Sequence, residues 1–187
     1  MKIDSIKAHL QPYSIMKKRQ TTINHAFASA IAPSDSYDAK TVKEAVVLLG
    51  QDPEKDLLCV YCGAEAETWD HVFGLVRDLR FSGYGHVIGN LLPSCKKCNS
   101  EKGNRDWESY LRKKNGNDTG SKIEVIKRYF AKYLPAQVDY EKIKDICPDE
   151  IGQLDSIKNK VMDLFKEADV IAEQVRGKLK TKKCLEE

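Results

Sequence analysis

Apolar residues recur at helical spacing early in the chain. Between Ser14 and Ala32, the residues Met16, Ile23, Phe27, Ala30 and Ile31 lie on one helical stripe, and Pro33 ends the run. A second helix is predicted from about Ala39 to Leu49, closed by Gly50, with Gln51-Asp52-Pro53 as a linker. From about Lys55 to Asn115 the pattern changes. Leu57 to Tyr61 reads as a short strand, and Thr68-Trp69-Asp70-His71-Val72 as a second. Ser82-Gly83-Tyr84-Gly85 is a loop by composition, and Asn90-Leu91-Leu92 leads into a cysteine pair. A helix is predicted from near Asn99 through Trp107, Tyr110 and Leu111 to Lys114, where Asn115-Gly116 stops it. Beyond it, Ile123 to Leu134 is amphipathic and ends at Pro135.

Pro148 opens the longest periodic segment. Leu154, Ile157, Val161, Leu164, Ala168, Ile171 and Val175 follow alternating steps of four and three, which is a heptad seam. Two readings of this seam stay open: it closes a homodimer through a helix over 148–180, or it packs on the Ile123–Leu134 helix and the N-terminal helices within one chain. The chain thus divides into a helical region over 1–50, a mixed module over 51–115 and a helical region over 116–187. This is an α+β, mostly helical organisation.

Charge changes this picture little. The net charge is +3, with 31 basic residues set against 28 acidic ones, so a nucleic-acid partner is permitted but not demanded. The early basic run Lys17-Lys18-Arg19 reads as a solvated helix face. Met1 to Gln20 carries charges throughout, and no apolar stretch approaches a membrane span of about 20 residues. A cytoplasmic protein with no membrane partner is expected.

The cysteines are more informative. Of six, four form two Cys-x-x-Cys pairs, Cys59/Cys62 and Cys95/Cys98, while Cys147 and Cys184 stand alone. In a reducing compartment such pairs bind metal more often than they oxidise. Four thiolates are the full tetrahedral complement of a structural Zn²⁺, which leaves no position for a catalytic water. Thirty-two residues, Gly63 to Ser94, separate the pairs, more than a simple zinc ribbon needs. That insertion contains Asp70-His71, and Asn99 follows the last cysteine. Phosphodiester hydrolysis needs a base near neutral pH, which suits an imidazole, and a divalent ion on hard oxygen ligands, which Asp70 and Asn99 offer. Neighbours on a strand face opposite ways, so Asp70 and His71 share a site only where the strand ends or distorts.

The run Cys59-Val-Tyr-Cys62 … Trp69-Asp70-His71-Val72 … Asn90-Leu91-Leu92-Pro93-Ser94-Cys95-Lys96-Lys97-Cys98-Asn99-Ser100-Glu101-Lys102 resembles the HNH endonuclease family in its zinc-stabilised four-cysteine branch. The resemblance covers about a third of the chain. It implies a ββα-metal fold that cuts DNA with Mg²⁺ or a similar ion, leaving 5′-phosphate and 3′-hydroxyl ends, in a restriction or defence setting. It makes His71 the general base, Asp70 and Asn99 the ligands of the catalytic ion, and Asn90 the brace of the loop that bears the base. Lys102 becomes a residue that reaches a phosphate. Phe73-Gly74-Leu75-Val76 departs from the proline and small polar residue that many relatives carry after the Asp-His pair.

Around this core, Lys96, Lys97, Lys102 and Arg105 form a local positive cluster expected to contact DNA phosphates. Arg77 and Arg80 are either phosphate contacts or ordinary exposed arginines. His86 either touches DNA or is structural, and a lone loop histidine favours the latter. Trp69 and Trp107 are expected to pack around the zinc frame. The rival classes are a zinc-dependent DNA-binding module without catalysis, which needs neither Asp70 nor His71, and a helical assembly protein in which zinc is only structural.

Overall fold

A computed structural model describes residues 3–116, 119–133 and 137–181. The helices are α1 (Ile6–His9), α2 (Ile15–Ala30), α3 (Ala39–Leu48), α4 (Lys96–Lys102), α5 (Trp107–Asn115), α6 (Gly120–Tyr133), α7 (Tyr140–Ile146) and α8 (Pro148–Thr181). The strands are β1 (Thr68–His71), β2 (Val76–Arg77), β3 (Arg80–Phe81) and β4 (Leu91–Ser94). The fold is α+β and mostly helical, with two small antiparallel sheets, β1–β4 and β2–β3. Contacts group the chain into two units, one comprising Met1–Phe27 with Lys144–Glu187 and the other Ala28–Ile143. Leu134, Pro135 and Cys184 lie outside the described residues.

The 28–143 unit holds the chemistry. Its centre is the β1–β4 ladder, in register from Thr68 opposite Ser94 to His71 opposite Leu91, with α4 following β4 and packing against β1. Asp38 starts α3 by accepting a hydrogen bond from the Thr41 amide at 2.8 Å, which satisfies a donor the helix itself cannot. Helices α3, α5 and α6 lay their apolar faces on this centre. Tyr61, Leu92, Leu111, Ile123 and Ile126 are among the most completely buried side chains. A smaller cluster joins Ala28, Val76 and Phe81 to Tyr140 and Ile143.

Several expected elements differ. Leu57 to Tyr61 forms no strand; only a single bridge, Leu58 to Glu65, marks the first cysteine turn. The helix expected from Asn99 to Lys114 is two helices. Gly103 takes a positive φ of 50° after α4, and Asp106 caps α5 by accepting from the Ser109 amide at 2.8 Å. Helix α4 also begins earlier, at Lys96, because Cys95 serves as its N-cap. Trp107 is buried as expected, whereas Trp69 stays 43% exposed because it lies on the outer face of β1.

In the other unit, Asp169 of α8 receives the Ser14 hydroxyl at 2.8 Å and the Ile15 and Met16 amides at 2.6 and 3.1 Å, capping α2 from a distant part of the sequence. The best-buried side chains of α8, Ile151 and Met162, lie beside the heptad seam rather than on it. Ile157, Leu164, Ile171 and Val175 of the seam are 51–61% exposed.

Candidate metal and catalytic site

The two Cys-x-x-Cys turns converge because β1–β4 pairing brings both ends of the insertion together. Cys59 and Cys62 sit on a turn closed by the Gly63 amide donating to the Cys59 carbonyl at 2.8 Å, and Gly63 has φ 78°. Cys95 and Cys98 open α4, with the Cys98 amide donating to Cys95 Sγ at 3.4 Å. The four sulfurs all lie within 4.8 Å of one another, and Cys62 Sγ is 3.8 Å from Cys95 Sγ. A tetrahedron of Zn–S bonds of about 2.3 Å has edges of about 3.8 Å, so this cage is of zinc size and needs little adjustment. Burial raises the Cys59 thiol, but the amides of Cys95, Cys62 and Tyr61 outweigh it and bring it down to about 7. That favours the thiolate a metal requires. Among the described residues this is the one such cluster of cysteine, histidine and carboxylate side chains.

Below the cage lies a buried polar triad. Asp70 is 2% exposed, and Lys102 has a side-chain exposure of 0%. The Lys102 ammonium contacts both Asp70 oxygens at 3.2 Å and donates to the carbonyls of His71 at 3.2 Å and Gly103 at 3.1 Å. Tyr61, between the first two cysteines, donates its hydroxyl to Asp70 Oδ2 at 2.5 Å. Burial pushes the Asp70 carboxyl above its usual range, and the Lys102 ammonium and Tyr61 hydroxyl pull against it.

This corrects the reading of Lys102. Its side chain closes the core instead of reaching a phosphate, because an unpaired buried Asp70 would be costly. It also bears on Asp70. A hydrated divalent ion needs open oxygen positions, but both Asp70 oxygens are already committed to a cation and a hydroxyl. As arranged, these residues do not fit a resident divalent ion. Asn99 is half-buried on α4, three residues before Lys102 and therefore on the same helix face.

His71 ends β1 with its side chain on the opposite face from Asp70, as strand alternation requires. Its Nε2 lies 3.0 Å from His86 Nδ1, with the rings nearly perpendicular at 79°. His86 is held by its own backbone, which donates to the Pro33 carbonyl at 2.8 Å and accepts from the Asp35 amide at 3.2 Å. A Cβ on Gly85 would stand 2.1 Å from the Pro33 oxygen, so only glycine permits this close pass. Burial first, then the charges of His86 and Lys102, lower the His71 pKa and keep the ring neutral at neutral pH.

Asn90 is fully buried. Its Oδ1 accepts from the Phe73 amide at 2.8 Å, and its Nδ2 donates to the Phe73 and Gly85 carbonyls at 2.9 and 3.0 Å. It also accepts the Val72 amide on its own carbonyl at 3.0 Å. One side chain thus ties the segment after His71 to the segment before His86. Lys96 and Lys97 are exposed on α4, with Lys96 paired to Glu67 at 3.1 Å. Arg105 is exposed and donates to the Glu101 carbonyl. Tyr61 carried no sequence signal beyond its place in the first knuckle, and His86 none that set it apart from a loop histidine. Compared with known proteins, the chain matches no protein-family model, no curated protein and no solved structure.

Proposed function

We propose that the chain is a DNA endonuclease of the HNH kind, with His71 as its general base. The observation that carries this reading is a neutral imidazole at a strand end, fixed on one nitrogen by His86 and held in place by the Asn90 brace. A base must be unprotonated to act, and the lowered pKa of His71 meets that need. With Nε2 engaged by His86, Nδ1 is the nitrogen left to take a proton from water. In that tautomer Nε2 carries the hydrogen and donates to His86 Nδ1, which fixes the ring with Nδ1 free. The hydroxide attacks phosphorus, the P–O3′ bond breaks, and the leaving oxygen takes a proton from solvent. The order of strand, strand and helix on a cysteine cage supports the same reading.

A divalent ion at Asp70 and Asn99 would supply Lewis-acid stabilisation of the leaving oxygen. The closed Asp70–Lys102 pair speaks against it and favours the second reading, a zinc-dependent DNA-binding module without catalysis. Incubating zinc-loaded protein with supercoiled plasmid, with and without Mg²⁺, separates the two. Nicking or linearisation that disappears in His71→Ala, with zinc content and circular dichroism unchanged, is the expected result. A folded, zinc-loaded chain that binds plasmid but cuts it under neither condition would overturn the nuclease and leave the binding module.

A further inference from the structure

The hairpin β2–β3 is built from residues that do not favour it. Its ladder sets Val76 opposite Phe81 and Arg77 opposite Arg80, with Asp78 and Leu79 as a two-residue turn. Both turn residues have positive φ, 51° and 63°, the geometry in which asparagine and glycine are preferred. A leucine pays a steric penalty there, and Leu79 is 52% exposed, so burial returns little. The rung beside the turn places two arginines on the same ribbon face, where like charges repel. Both are exposed, and neither has an ion-pair partner among the described residues.

The opposite ribbon face holds this element firmly. Val76 and Phe81 are each 7% exposed and pack with Ala28, Tyr140 and Ile143. The Ser82 amide and hydroxyl close the base onto Leu75 and Gly74 at 2.9 and 2.5 Å. Arg77 also borders two clefts. One, of about 780 Å³, carries Arg80 and the acidic residues Asp78, Asp139 and Glu141, with the Asp139 carboxylate engaged by the Glu141 amide at 3.0 Å. The other, of about 500 Å³, passes Phe73 and Tyr84 to Arg105 and so reaches the segment that follows His71. Strained turn, exposed apolar tip and unpaired cations, on a rigid base beside that cleft, are explained together by a ligand that supplies the missing negative charge.

We propose that this hairpin is a phosphate fork for duplex DNA, in which Arg77 and Arg80 grip backbone phosphates and Leu79 lies against the duplex. Planar guanidiniums suit paired phosphate oxygens. The choice of DNA rests on the nuclease reading; the fork itself does not require His71 to act. The test is fluorescence anisotropy of a labelled 20-base-pair duplex of mixed sequence with the full zinc-loaded chain, from low to moderate salt, without added divalent ion. Arg77→Gln and Arg80→Gln should each lower the slope of log affinity against log salt by about one, and the double variant by about two, with the thermal midpoint unchanged or raised. Arg77→Lys/Arg80→Lys should restore the slope. Leu79→Gly should raise the thermal midpoint and weaken binding. A double glutamine variant with the wild-type slope, or a wild-type chain that does not bind the duplex, would overturn the fork. A chain that shows these slopes yet never cuts plasmid keeps the fork and loses the nuclease.

Discussion

Lys102→Met separates a phosphate contact from a core ion pair. The substitution keeps most of the apolar stem and deletes the ammonium. In the wild type that ammonium serves Asp70 at 3.2 Å and the carbonyls of His71 and Gly103 at 3.2 and 3.1 Å. Its loss leaves Asp70, 2% exposed, with the Tyr61 hydroxyl alone. Removing one partner of a buried pair costs about 3–5 kcal/mol, a large share of a typical stability of about 5–15 kcal/mol. Both tryptophans, Trp69 and Trp107, lie in the 28–143 unit, so their fluorescence in urea reads the stability of that unit. Asp70→Asn/Lys102→Met should recover part of the loss, because an amide can still accept from Tyr61 without carrying a charge. The pH dependence follows from the same pair. In Lys102→Met the Asp70 pKa, already raised by burial, rises further above its unfolded value. Its contribution is therefore fully present below the unfolded pKa and lost as pH rises through the folded one. The single variant should gain on the double variant as pH falls. A cost under about 1 kcal/mol, together with a DNA salt slope reduced by about one, would refute the buried pair and return Lys102 to the surface.

Elemental analysis should find one zinc per chain, and Cys98→Ser should lose both the metal and the tryptophan signal of the folded unit, since the cysteine cage ties the Cys59–Cys62 turn to the start of α4. In the plasmid assay His71→Ala should slow cleavage by roughly 10²–10⁴-fold. The acid limb of kcat/KM should fall below the ordinary imidazole value of 6.5, because the folded pKa is lowered; stability contributed by neutral His71 is present above that value and lost as pH falls through the folded pKa. The exposed stripe of Ile157, Leu164 and Ile171 on α8 should make the chain self-associate: sedimentation equilibrium is expected to give a dimer, and Leu164→Glu a monomer, whereas a monomeric wild type would remove that role from the seam.

How much was legible in the sequence depended on how local each signal was. The cysteine cage was legible because a two-residue spacing places both thiols of a pair on one turn, so only the meeting of the two pairs was left to the fold. Helices α3, α6 and α8 were legible from periodicity and from the breakers that bound them, Gly50, Pro135 and Pro148. The ends of α4 and α5 were not, since Gly103 and Asp106 compete with good helix formers on either side. The β2–β3 hairpin was invisible for a related reason: Asp-Leu is a poor turn signature, and the turn holds because Val76 and Phe81 are anchored from elsewhere. The fates of the charged residues were decided only by tertiary structure. Lys102 closes α4 and Arg105 follows it by three residues in the connection to α5; both are basic, and their sequence neighbourhoods do not tell them apart. Burial does, because only Lys102 sits opposite a carboxylate from β1, and a low-dielectric interior admits a charge only when its partner is already there. The pairing of His71 with His86 has the same origin: fifteen residues apart, they meet because the Gly85 backbone passes against Pro33 and because Asn90 ties both segments together. The chain by itself determined which chemical groups were present and how they were spaced along each local turn. Which of them face water, each other or a ligand was set by long-range packing, since burial changes the energy of a charge far more than its sequence neighbours do.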